Sequence, residues 1–181
     1  GIPLDGIPFH PFYSVHDLVG IAVFLFVFCA VIFFFPEMGG YFLEKPNFEA
    51  ANPLKTPEHI APVWYFTPFY AILRAVTYPL FGLDAKFWGV VAMGAAIAIL
   101  FVLPWLDRSP VKSMLYKGWI SRISLIAFCI SFVALGVLGV LPSTELRTTI
   151  AQLASVVYFA YFIFMPFYTR WESTKPVPER V

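Results

Sequence analysis

Residues Leu18 to Phe35 read LVGIAVFLFVFCAVIFFF, an apolar run without a charged side chain and long enough to cross a bilayer as a helix. Three further runs share its character: Phe87 to Leu106, Trp119 to Leu141 and Ile150 to Phe167. The composition agrees with them. Of 181 residues, 60% are hydrophobic and 13% charged, and 21 are Phe, whereas a soluble domain carries about 25% charged residues. So little charge cannot cover an aqueous surface, and the expected fold is an all-α integral membrane protein with four transmembrane helices. A formal net charge of +1, with no clustered basic face, excludes nucleic acid as a partner.

Polar residues mark where the runs begin and stop. Ser14 and Asp17 precede the first run and suit a helix N-terminus, and Pro36 ends it. Pro104 and the string Asp107-Arg108-Ser109-Pro110 stop the second, and Pro142-Ser143-Thr144 the third. The second loop holds Arg108, Lys112 and Lys117, with Arg122 one turn into the helix, and the tail adds Arg170, Lys175 and Arg180. In the first loop Lys45, Lys55, Arg74 and Lys86 are diluted by Glu37, Glu44, Glu49, Glu58 and Asp84. The bias of cations places the second loop and both termini in the cytoplasm and makes residues 36–86 a long extracytoplasmic loop.

The middle of each run is chemically bare of Asp, Glu, Lys and His, which argues against a transporter built from this chain alone. Small residues at Ala92 and Ala96, Gly136 and Gly139, and Ala151 and Ser155 are suited to close helix packing. Cys29 and Cys129 lie inside apolar runs without metal-ligand spacing and are expected to be buried small hydrophobes. No metal site is expected. The chain starts at Gly1 without Met or a leader pattern, which reads as a piece of something longer.

The long loop is where chemistry is expected. Trp64, Tyr65, Phe66, Phe69, Tyr70, Tyr78 and Phe81 crowd a stretch stiffened by Pro57, Pro62, Pro68 and Pro79, as in a structured cap at the membrane interface. Between Pro68 and Thr77, Phe69, Leu73 and Val76 recur at helical spacing, predicting a short amphipathic helix that carries Arg74. Two roles fit it: an interfacial anchor, or the wall of a pocket for a flat apolar ligand with a polar head.

The string Pro62-Val63-Trp64-Tyr65, continued by Phe66-Thr67-Pro68-Phe69-Tyr70-Ala71-Ile72-Leu73-Arg74, closely resembles a signature of cytochrome b, the quinol-oxidising subunit of cytochrome bc complexes. Three other segments agree in order. Phe9-His10-Pro11-Phe12-Tyr13-Ser14, then Asp17, resembles the entry to that family's fifth helix. Leu103-Pro104 with Asp107-Arg108-Ser109 resembles the end of its sixth, and Gln152-Leu153-Ala154-Ser155 with Tyr158 and Phe159 its eighth. Together they cover essentially the whole chain and resemble the C-terminal half, helices five to eight. The family's split photosynthetic form has three spans in the corresponding polypeptide, so a fourth points to the respiratory type.

The resemblance implies a protonmotive ubiquinol:cytochrome c oxidoreductase in a bacterial inner (cytoplasmic) membrane, in preference to a mitochondrial one. Its implied partners are the haem-binding N-terminal half, the Rieske iron-sulfur protein, cytochrome c1 and a second copy of the complex. The implied cofactors are ubiquinol and ubiquinone, together with b haems held by the absent half. No haem ligand is expected among His10, His16 and His59.

By the same resemblance Pro62, Val63, Trp64, Tyr65, Phe66, Pro68, Phe69 and Tyr70 line the outer, quinol-oxidising pocket, whose electrons go to the Rieske protein and across the membrane through the haems. The family's usual Glu at the second motif position is Val63 here, which neither accepts a proton nor makes a hydrogen bond. Tyr65, Tyr70, Glu58 and His59 remain as candidates for that role, and histidine is the side chain whose ordinary pKa lies nearest neutrality. The inner, quinone-reducing pocket draws on Phe9, Tyr13, His16 and Asp17, with His16 where family members commonly have Lys. The rival reading is a non-catalytic membrane scaffold that anchors a redox partner.

Overall fold

The computed structural model describes residues 6–179, so Arg180, counted above among the tail cations, lies outside them. Seven α-helices occur among the described residues: α1 (Phe12–Phe34), α2 (Thr67–Ala75), α3 (Ala85–Phe101), α4 (Leu103–Leu106), α5 (Trp119–Val140), α6 (Glu145–Ile163) and α7 (Met165–Trp171). No strand occurs among those residues, only an isolated bridge between Leu80 and Leu83. Three helices, α1, α5 and α6, are long and apolar enough to cross a membrane, and α3 is a shorter apolar helix. The chain divides into two units at Glu58 and His59.

In the first unit α1 begins at Phe12, earlier than Ser14 and Asp17 suggest. Asp17 therefore sits in the second helical turn, where it caps nothing. The stop is as expected: α1 ends at Phe34, because the residue before Pro36 is pushed out of the helical region. No residue of α1 is buried.

In the second unit, prolines cut two of the apolar runs. Pro104 lacks the N–H that would continue α3, so the helix breaks at Val102 and resumes as the single turn α4. Pro166 does the same after Phe164, separating α6 from α7. The fourth run also starts earlier than hydropathy indicates. Thr144 caps α6 by accepting from the Arg147 N–H at 3.3 Å, and Glu145 lies in the first turn where a negative charge is favoured.

The short helix of the loop forms at Thr67–Ala75, but it buries another face than the one expected. Thr67, Pro68, Ala71, Ile72 and Ala75 are buried, whereas Phe69 and Leu73 are only partly so. The reason is close approach to α5 and α3. A Cβ at Gly139 would run into the backbone of Thr67, and one at Gly89 would lie 2.6 Å from the Leu73 carbonyl oxygen. Large side chains on that face would hold the helices apart. The small pair Gly136 and Gly139 thus admits α2 rather than another span.

Beneath α2 the core joins Ala71, Ile72, Ala96, Leu135, Tyr158 and Phe162. Tyr158 donates its hydroxyl to the Ala96 carbonyl at 2.7 Å, which satisfies the one polar atom of a buried ring. Phe128 stands among Tyr158, Tyr161 and Phe162, with centroids 5.2, 4.6 and 5.3 Å away. Cys29 and Cys129 depart from expectation: both are exposed.

Candidate functional site

The motif residues sit on two successive turns. Pro62 leads into an extended Val63, and a 3-10 turn, Trp64–Phe66, runs straight into α2. The Phe66 N–H donates to Val63 O at 2.8 Å, and the Thr67 hydroxyl to Trp64 O at 2.7 Å. This fixes Trp64, Tyr65 and Phe66 as a fan. Trp64 and Tyr65 meet edge to face at 5.5 Å, and Tyr65 and Phe66 are 4.6 Å apart.

The motif is thereby divided. Val63, Trp64, Tyr65 and Phe66 are exposed, while Pro68 is buried and Phe69 packs edge to face on Phe132 of α5 at 6.1 Å. Pro62 and Tyr70 are partly buried between the two sets. Packed residues make the seat and exposed aromatics make the face.

Both ends of this segment are fastened to one place, the C-terminus of α5. A helix leaves its last carbonyls without partners and carries a partial negative charge there. The His59 ring bonds Val140 O through Nε2 at 3.1 Å. Arg74 donates through Nη2 to Leu138 O at 2.5 Å and to Leu141 O at 3.1 Å. Arg147 donates to the next carbonyl, Pro142 O, at 2.9 Å. The same guanidinium of Arg74 lies 4.7 Å over the Tyr70 ring, one helical turn earlier. Gln152 of α6 closes the end of α2, donating to Ala75 O at 3.0 Å and to the Thr77 hydroxyl at 3.2 Å.

The opposite end of α5 receives the complementary charge. Glu172 accepts from the Ser121 N–H at 3.1 Å and from its hydroxyl at 2.5 Å, and nearby Lys117 pairs with Asp107. Tyr168 of α7 donates to Tyr161 O at 3.1 Å. Burial, with smaller contributions from Tyr161, Asp107 and Glu172, pushes its phenol above the ordinary range, so it acts as a neutral donor.

A cleft of about 580 Å³ adjoins the other side of α2, lined mainly by apolar groups that include Val76, Ala92, Val156, Phe159 and Ile163. Its polar side chains are Thr77, Tyr78, Gln152 and Ser155. The Ser155 hydroxyl is already used on Ala151 O at 2.7 Å.

The second predicted cluster belongs to the first unit. Phe9 and Tyr13 stack at 5.9 Å, and His10 Nδ1 lies 3.0 Å from the Ser14 hydroxyl. His16 Nδ1 is 3.7 Å from an Asp17 carboxylate oxygen, both side chains being exposed. Glu58 ends the same unit, whereas His59, Tyr65 and Tyr70 belong to the other. Among the described residues no group of three or more His, Cys, Asp or Glu is placed to hold a metal ion.

Reasoning from sequence missed the double role of Arg74, although its place four residues after Tyr70 already stacks a cation on a ring. The grip of Gln152 on α2 had no local signal, because its partners are 75 and 77 residues away.

Residues 50–159 match the family model described as cytochrome b(C-terminal)/b6/petD. The chain is 62% identical over 179 residues to a cytochrome b of Allochromatium vinosum, covering 99% of this chain and 42% of that protein. It is 46% identical to a cytochrome b of Rhodospirillum rubrum, covering 97% of this chain and 41% of that one. A chain of a hyperthermophilic respiratory complex III superposes with a TM-score of 0.76 at 35% identity, covering 94% of this chain and 42% of that chain. The chain thus spans about two fifths of the length of these relatives.

Proposed function

The chain belongs to the C-terminal cytochrome b family, and on that premise we propose that it supplies a wall of the quinol-oxidation pocket in a protonmotive ubiquinol:cytochrome c oxidoreductase. The observation that carries this reading is the divided motif: an exposed aromatic fan, Trp64 to Phe66, on a helix whose other face is locked into the protein. A flat quinol ring needs apolar walls held rigidly and a few polar partners. Val63, Phe69 and Tyr70 extend that wall, with Pro62 and Pro68 fixing its turns.

His59 takes the proton that Val63 cannot. A carbonyl only accepts, so the bond to Val140 O puts the hydrogen of a neutral His59 on Nε2 and leaves the Nδ1 lone pair free. Tyr65 and Tyr70 present hydroxyls to orient the quinol. Phe9, Tyr13, His16 and Asp17 form part of the quinone-reduction pocket, the neighbouring His16 and Asp17 delivering protons.

In this assignment α1, α3 with α4, α5 and α6 are the four crossings, and residues 36–86 face the outside of a bacterial inner membrane. The b haems supply electron transfer across the membrane when bound, and the N-terminal half carries them. The Rieske protein, cytochrome c1 and a second copy of the complex complete the assembly. Replacing Tyr70 by Ala in the assembled complex tests the pocket. Turnover with decylubiquinol is expected to fall about tenfold, the scale of losing one aromatic contact and its hydroxyl. Unchanged turnover removes Tyr70 from the site.

A further inference from the structure

We propose that Arg74 is the positioning residue of the quinol wall: its guanidinium holds the Tyr70 ring by clamping the last turn of α2 to the C-terminal carbonyls of α5. The inference rests on the quinol-pocket reading of residues 62–70 and adds to it a residue outside that set of pocket residues. Three observations carry it. Arg74 reaches two carbonyls at the C-terminal end of α5, Leu138 O within the helix and Leu141 O at its cap, with one Nη2. The same planar group covers Tyr70 at 4.7 Å, so the ring is held between its own helix and a charge that cannot move away. Its Nε is buried with no partner.

The third observation separates positioning from plain structural support. A buried N–H without a partner costs stability, and a clamp needed only for packing would be met better by an apolar side chain. What an apolar residue cannot supply is a fixed cation on the face of a ring together with a donor that reaches the carbonyls. Lysine supplies it less well, because its ammonium is a compact point charge without the planar face that lies on a ring. His59 anchors the segment before the motif and touches no ring of it in the same way. Among the described residues, Arg74 is the one that joins this anchor to a predicted quinol contact.

The test is a mutant cycle in the assembled cytochrome bc complex, with decylubiquinol as substrate and b-haem absorbance as the measure of assembly. Arg74→Gln is expected to leave haem content unchanged and to raise the KM for decylubiquinol roughly three- to tenfold, the range of a partly buried cation–π contact. In a Tyr70→Ala background the same substitution is expected to add no further increase in KM, because Arg74 acts through Tyr70. Arg74→Lys serves if the Gln variant does not assemble. It keeps the charge, and its KM is expected to rise while the complex still accumulates. A KM unchanged in Arg74→Lys and Arg74→Gln, or effects that add fully to those of Tyr70→Ala, overturns the inference and leaves the quinol pocket standing. If Tyr70→Ala alone has no effect, the pocket reading falls and this inference falls with it.

Discussion

Helices α1 and α2 invert the rule that the most apolar segment lies deepest. α1 is apolar from Leu18 to its end and buries none of its residues, whereas the nine-residue α2 buries five and seats the motif. In water that contrast would be costly. In a bilayer, apolar surface gains little by meeting other protein, because lipid tails are as apolar as leucine. Hydrophobicity there decides which segments cross, while small residues and satisfied polar groups decide which segments pack. α2 has both: glycines facing it at 89 and 139, and a guanidinium and an amide that tie its end to α5 and α6.

The sharpest way to break the comparison is to enlarge one glycine in each region. Gly139→Leu drives a side chain into the Thr67 backbone, so the seat of the motif must move. Overpacking of this kind costs about 3 kcal/mol or more where backbone is in the way. Loss of most assembled complex, read from b-haem content in membranes, is the expected result. Gly20→Leu in α1 meets open space and is expected to change assembly by less than about 1 kcal/mol, in the direction helix propensity favours. Equal damage from the two would show that α1 packs as tightly as α2 in the complex.

A smaller effect is expected at the other anchor. His59→Phe removes the bond to Val140 O, a loss of about 1 kcal/mol, so the complex should still assemble. If His59 accepts the quinol proton, the variant turns over decylubiquinol more slowly than the wild type in the assembled complex. A variant with unchanged turnover reduces His59 to an anchor.

Much of this fold was legible from apolar runs and prolines. Pro36, Pro104 and Pro142 act where placed, and α2 forms within two residues of its expected limits. Helix starts were less legible, since Phe12 and Glu145 lie outside the apolar runs, and hydropathy does not register a first turn capped by Thr144. The buried face of α2 was misread because periodicity ranks side chains by apolarity, and here the deciding residues are small ones opposite glycines far away in sequence. The exposed cysteines belong to the same lesson, since an apolar run fixes depth in a membrane and not the side a residue faces. At the site, the aromatic fan was visible as a motif, but its anchors Arg74, His59 and Gln152 act through backbone carbonyls that sequence does not mark.

The central claim is that this clamped aromatic face receives quinol. It is tested most directly by adding decylubiquinol to the complex of this chain with its N-terminal half, Rieske protein and cytochrome c1, and following b-haem absorbance. The account predicts that the haems are reduced in the wild type and markedly more slowly in Tyr70→Ala. Haems that quinol does not reduce, or that it reduces at the same rate in both, would contradict it.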